Sequence, residues 1–331
     1  MSNSAALTLS ARVERWPIAG AFTISRGAKT EAVVVVVELS DGTRRGRGEC
    51  VPYARHGETV ESVLAAIQAM ADALAHGLDR EGLQRAMPPG AARNALDCAF
   101  WDLAAKRAGK PLHELLDTPP PQPLVTAYTI SLGSAQAMAE AAAAAAHRPL
   151  LKIKLGRADD RERIAAVRAA APHCQLVVDA NEGWAPQDLA GHFAACAQAH
   201  VLMIEQPLPA GGDQSLADLE RSVPVCADES AHTRDSLTGL SDRYDAVNIK
   251  LDKAGGLTEA MAMAKEAERL GFSLMVGCMV STSLAIAPAL LLGQGADLVD
   301  LDGPLLLARD RPDALRYDGS LVYPASPVLW G

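Results

Sequence analysis

The chain has 331 residues, 49% of them hydrophobic and 21% charged, with a net charge of -9. This is ordinary globular composition, too long for one small core and about right for a barrel of roughly 250 residues plus a smaller domain. The acidic balance and the lack of a basic run speak against a nucleic-acid surface, and no run of about 18 apolar residues is present to span a membrane.

Six cysteines (Cys50, Cys98, Cys174, Cys196, Cys226, Cys278) are scattered without a C-x-x-C pair. That pattern favours reduced thiols and a cytoplasmic protein over disulfides or a zinc site. The N-terminal stretch Met1–Trp16 lacks a basic start followed by an apolar core, so no leader is expected. Nothing in the sequence fixes an oligomeric state, and a homo-oligomer stays open.

Residues 7–50 read as β-rich. Val33–Val37 is a β-branched run and Asp41-Gly42 supplies a turn, which predicts strand, turn, strand. The polar stretch Phe22–Lys29 is expected to be an exposed loop. A second loop, Cys50–Gly57, leads into helices that dominate to about Leu116, with Ala91–Arg107 the clearest. The alanine tract Ala141–Ala146 reads as helix rather than linker. Thr118–Pro123 carries four prolines and marks the domain boundary. The expected division is 1–117, 118–303 and a C-terminal segment 304–331 that returns to cover the first domain.

After the boundary, short apolar strands alternate with helices. The strands are expected to end near Tyr128, Lys154, Asp179, Glu205, Asp228, Lys250, Gly277 and Asp300, with helices such as 134–146, 159–170, 186–198 and 256–269 between them. Such alternation implies right-handed β-α-β units, and eight strands imply closure into a barrel. An open doubly wound sheet competes, but no glycine-rich phosphate loop follows the first strand.

Barrel chemistry sits at the C-terminal strand ends. From Lys154 through Asp179, Glu205 and Asp228 to Lys250, the strand-end residues follow one another at about one β/α unit. They should therefore converge on one mouth. Asp179, Glu205 and Asp228 form a hard oxygen site suited to Mg²⁺. Any one of them alone is as easily a helix cap or an ion pair; three in register are not. Asn181 and Glu229 are candidates to support the carboxylates. Gln206-Pro207 reads as a simple turn, His232 as structural, and Ser281–Ser283 as the cap of the next helix.

A cation flanked by lysines suits proton removal beside a carboxylate, which forms an enediolate. Lys154 is the expected base. Lys152, on the same strand face, is expected to hold a substrate oxygen and to depress the proton affinity of Lys154. Lys250, from across the mouth, should meet the opposite face of the reacting carbon, which implies racemisation or epimerisation. Asp300 and Asp302 share a face and suit a substrate ammonium. Arg26, on the first loop, suits an anionic substrate group.

The motifs Lys152-x-Lys154, Asp179-x-Asn181, Glu205-Gln206-Pro207, Asp228-Glu229-Ser230 and Lys250 resemble those of the muconate-lactonising subgroup of the enolase superfamily. With Asp300-Leu301-Asp302-Gly303-Pro304 and Asn248–Lys253, essentially the whole chain resembles the dipeptide epimerases, in particular those acting on L-Ala-D/L-Glu. The resemblance implies an α+β N-terminal capping domain on a (β/α)₇β modified TIM barrel, one Mg²⁺ per site, and a part in murein peptide recycling. It implies that Asp300 and Asp302 bind the α-ammonium of a dipeptide and Arg26 the glutamate side chain. Residues near Arg26 and Tyr53–His56 are expected to close over the site. Cycloisomerase, o-succinylbenzoate synthase and N-acylamino acid racemase share the metal and lysines, but their substrates lack a free α-ammonium. A Schiff-base aldolase would need no carboxylate triad, and a non-catalytic barrel would not need the lysines.

Overall fold

The computed structural model describes residues 6–331; the first five residues of the stretch read for a leader lie outside that range. An antiparallel sheet of β1 (Thr8–Ile24), β2 (Gly27–Ser40) and β3 (Arg45–Cys50) opens the chain. The valine run is buried on both faces. Val34 and Val36 join the main core, while Val35 and Val37 pack into a second core with the helices that follow. The predicted turn forms at Asp41, whose Oδ1 accepts from the amides of Thr43 and Arg44 at 2.9 and 2.7 Å.

Phe22–Lys29 is not the expected loop. β1 and β2 continue through it in the register Phe22 to Lys29, Thr23 to Ala28 and Ile24 to Gly27, leaving only Ser25-Arg26 to turn the chain. Phe22, Thr23 and Ile24 are good strand formers, and a register irregularity between Pro17 and Phe22 bends the ribbon. The long helix Ala91–Ala108 forms as predicted and ends at Gly109, in the left-handed region at φ 63°.

The parallel strands are β5 (Tyr128–Ile130), β6 (Leu150–Lys154), β7 (Gln175–Asp179), β8 (Val201–Glu205), β9 (Val225–Ala227), β10 (Ala246–Ile249), β11 (Ser273–Gly277) and β12 (Leu298–Asp300), each beside its chain neighbour. The amide of Ala127 donates to the carbonyl of Val299 at 2.8 Å and draws the first and last strands together. Tyr128 begins its strand rather than ending it. Lys154, Asp179, Glu205, Gly277 and Asp300 end theirs, and Asp228 and Lys250 directly follow theirs.

The C-terminal segment does more than return to the first domain. β13 (Tyr317–Asp318) pairs with β14 (Leu321–Val322), and β14 in turn pairs with β4 (Leu124–Val125), just after the proline linker. The chain then reaches the cap, where Arg47 Nη2 donates to the carbonyls of Val328 and Leu329 at 2.6 Å.

Strand alternation explains the interior. Ala127, Leu150, Val177, Met203, Cys226, Ala246, Met275 and Leu298, one per strand, form a buried apolar layer. Two residues further on, the inward positions are Thr129, Lys152, Asp179, Glu205, Asp228, Asn248, Gly277 and Asp300. Two further still come Lys154, Lys250 and Asp302. The apolar plug thus ends where the charges begin.

The cap is tied to the barrel by buried polar groups. Asp252 Oδ1 accepts from the amide of Val51 at 3.0 Å and from Asn94 Nδ2 at 2.8 Å. Burial raises its pKa to about 7, and Glu58 and Glu49 add to the rise. The unfolded value is near 3.9. A raised folded value means this carboxyl favours folding below about pH 4, a contribution lost as pH rises through about 7. Asp252→Asn keeps an oxygen for both bonds and removes the charge. It should melt above the parent at pH 8, the gap closing towards pH 4 in thermal scans; a lower melting point at pH 8 would contradict this.

Candidate active site

Nine charged side chains crowd the barrel mouth, all buried: Lys152, Lys154, Lys250 and Lys253 against Asp179, Glu205, Asp228, Asp300 and Asp302. Lys152 Nζ lies 2.6 Å from Glu205 Oε2, 2.7 Å from Asp300 Oδ2 and 3.4 Å from Asp179 Oδ2. Lys154 Nζ lies 2.6 Å from Asp179 Oδ2, and Lys250 Nζ 2.6 Å from Asp228 Oδ2. The expected metal ligands are brought together: oxygens of Asp179, Glu205 and Asp228 lie within 4.8 Å of one another.

Burial disfavours every one of these charges, and the neighbours decide the outcome. Burial lowers the pKa of Lys152, but Asp300, Glu205 and Asp179 outweigh it and raise it well above the lysine range. Burial raises that of Asp179, but Lys154 and Lys152 outweigh it and bring it to about 2. For Glu205, burial and Asp179 together raise it. Lys152 therefore has three carboxylate partners, where the sequence pointed to a substrate oxygen and to Lys154.

Asp302 and Asp300 stand beside Lys152. Asp302 Oδ2 accepts from the amide of Thr129 at 2.6 Å, while Asp300 Oδ1 is buried without a hydrogen-bond partner. Asn181 donates its amide to Asp179 Oδ1 at 2.9 Å, and its own carbonyl accepts from Ser25 and Arg26. Gly156, at φ 121°, lets the hairpin approach: a Cβ there would meet Ser25 Cβ at 2.6 Å.

Arg26 sits at the hairpin tip and is already engaged. It contacts Glu229 at 2.6 Å, Glu182 at 3.1 Å and the Tyr53 hydroxyl at 2.6 Å. Glu229, expected behind the carboxylates, instead pairs with the hairpin. Glu182 also takes Arg55 through both oxygens at 2.6 Å. The two capping loops thus meet over the strand ends. His232 packs edge-on against His56 at 4.5 Å between ring centres.

Several residues escaped the sequence. Lys253 donates to Asp228 Oδ1 at 2.5 Å and to its carbonyl; its position one helical turn beyond Lys250 was the available signal. Asn248 Nδ2 donates to Glu205 Oε1 at 2.8 Å, and Gly277 makes room for it, since a Cβ would meet Asn248 at 2.6 Å. Gln206 is no simple turn residue. Its Oε1 accepts from the amides of Asp228 and Ser230, and its Nε2 donates to Tyr244. Thr282 caps its helix as expected, but it and Arg311 also hold the buried Glu49 of the cap.

Comparison with known proteins agrees with this geometry. The chain is 49% identical to the L-Ala-D/L-Glu epimerase of Escherichia coli over 92% of this chain and 95% of that one. It is 44% identical to an N-acetyl-D-glutamate racemase of Pseudoalteromonas over 90% and 95%. A solved enolase-family protein of Agrobacterium tumefaciens, described as homologous to dipeptide epimerases and carrying sodium and L-Ala-L-Glu, is 58% identical. It superposes with a TM-score of 0.97 over 98% of this chain and 100% of that one. Residues 6–117 match the N-terminal domain of mandelate racemase and muconate lactonizing enzyme, and residues 135–301 match the enolase C-terminal-like domain. With both domains matched, the chain belongs to the mandelate racemase and muconate lactonizing family of the enolase superfamily.

Proposed function

We propose that this chain epimerises dipeptides at the C-terminal residue, with L-Ala-D/L-Glu as substrate. The carrying observation is the placement of two lysines. Lys154 ends β6 and Lys250 follows β10, four strands away in a ring of eight, so they face each other across the mouth.

Lys154 takes the α-proton from one face. The C–H electron pair moves into the adjacent carboxylate and gives an enediolate. Lys250 returns a proton to the other face, and the reverse reaction exchanges the roles. Asp179, Glu205 and Asp228 would hold a divalent cation, which would supply positive charge beside the substrate carboxylate as the α-proton leaves. The residues fit such a cation: three hard oxygen donors converge, one from each carboxylate, within 4.8 Å of one another. Mg²⁺ matches that donor set. The capping loops exclude water, which strengthens these interactions.

Asp300 and Asp302 hold the amino end of the dipeptide. Asp300 Oδ1 is the buried acceptor that an ammonium would satisfy. An N-acylated amino acid would leave it without a partner, which favours the dipeptide over an N-acyl racemase reading. Arg26 reaches over the mouth and, by this reading, takes the glutamate side chain. The reaction belongs to murein peptide recycling in the cytoplasm, a location that the six free cysteines support. Among the described residues, no helix is long and apolar enough to cross a membrane.

Mg²⁺ should raise the melting temperature of the parent protein, by an amount equivalent to about 2.7 kcal/mol at one hundred times its dissociation constant. Glu205→Gln should lose most of that shift, and an EDTA-treated protein indifferent to Mg²⁺ would sink the metal assignment. In D₂O, L-Ala-L-Glu should lose its glutamate α-proton signal by NMR as the L,D diastereomer appears. Asp302→Ala should lower kcat/KM for the dipeptide by about 100-fold while N-acetylglutamate gains relative to it. Turnover of N-acetylglutamate alone by the parent protein would overturn the dipeptide reading.

A further inference from the structure

The tip of the hairpin carries a second cation. Lys29 stands directly across from Phe22 in the β1–β2 register. Residues paired in this way project from the same face of a ribbon. Phe22 locates that face, because its ring centre lies 5.7 Å from Lys154 Nζ. Lys29 therefore looks towards the mouth, and its Nζ lies 5.7 Å from the ring centre of Tyr53. Arg26 flanks the same ring at 5.8 Å.

The charges around that ring explain why the second cation matters. Arg26 and Arg55 are matched by Glu182 and Glu229, in contacts of 2.6 to 3.1 Å. Those four groups sum to zero. A substrate carboxylate arriving at Arg26 alone would meet a guanidinium whose charge two glutamates already hold. Lys29 has no ion pair or hydrogen bond among the described residues, so it adds a positive charge that neither of those glutamates pairs. The Lys29 side chain is exposed, yet desolvation and the nearby Arg26 lower its proton affinity, and an incoming anion would relieve that repulsion.

The geometry points to Lys29 as a specificity-determining residue that selects an acidic side chain on the second residue of the dipeptide. This rests on the dipeptide reading above and adds a group to it. Glutamate and glutamine have nearly the same shape, so the ratio of kcat/KM for L-Ala-L-Glu to that for L-Ala-L-Gln isolates the charge.

The test measures that ratio for the parent protein, Lys29→Met, Lys29→Arg and Arg26→Met at low and moderate salt. Lys29→Met should lower the ratio about 10-fold, and Lys29→Arg should restore most of it. The salt dependence of the ratio should also weaken in Lys29→Met. A ratio that is unchanged in Lys29→Met but falls in Arg26→Met would overturn the Lys29 assignment and leave the dipeptide reading standing. A parent protein that turns over neither dipeptide would overturn that reading and this assignment with it.

Discussion

Four lysines and five acidic residues share one buried mouth, and none of these charges is tolerable there alone. Each ammonium lies 2.5 to 2.6 Å from a carboxylate oxygen. Burying an unpaired charge costs several kcal/mol, and breaking a buried pair from one side typically costs about 3–5 kcal/mol. The cluster is therefore a mutual arrangement, stable as a set. It exists because side chains alternate along strands, so the residues two and four positions beyond the apolar plug must also point inward. A barrel with a greasy floor and a charged upper layer follows from that alternation.

The cap keeps this layer dry and supplies what the barrel lacks. Its hairpin and second loop converge on Glu182, whose neighbour Asn181 binds Asp179. Both residues lie in the left-handed region, at φ 65° and 46°. Such backbone is uncommon for residues with side chains, and it persists where the surroundings enforce it. Here the enforcement is visible: Arg55 and the amide of Ala210 hold the Glu182 carboxylate, and Ser25 and Arg26 hold the Asn181 carbonyl. Deeper in, Glu49 of the cap is held by Thr282 and Arg311, and Asp252 of the barrel holds the start of the second loop. The lid is anchored at its root as well as its tip.

Much of this was legible in the sequence, for a physical reason. Barrel units repeat at 22 to 27 residues, so strand-end residues announce themselves by spacing, and Lys-x-Lys or Asp-x-Asp reads directly as one face of a strand. Asn248 and Gln206 were not legible, because each acts on a carboxylate or amide of another strand that only the closed barrel brings near. Lys253 was hidden by the short helix Leu251–Ala254, which folds it back onto Asp228. The hairpin tip was misread because its polar residues suggest a loop, whereas they are polar because they face a charged mouth. Arg26 and Glu229 were found, but not their pairing across more than 150 positions of chain, and Glu182 was missed.

The two-sided placement of Lys154 and Lys250 is the central claim. The most direct measurement follows α-proton exchange in D₂O for Lys154→Ala and Lys250→Ala, with L-Ala-L-Glu and L-Ala-D-Glu supplied separately. Each variant should lose epimerisation by about 10³-fold or more, as loss of a positioned acid or base does. Each should still exchange the proton of one diastereomer, and the two variants should retain opposite ones. If either variant exchanges both diastereomers, or both variants retain the same one, the lysines do not serve opposite faces and the account fails.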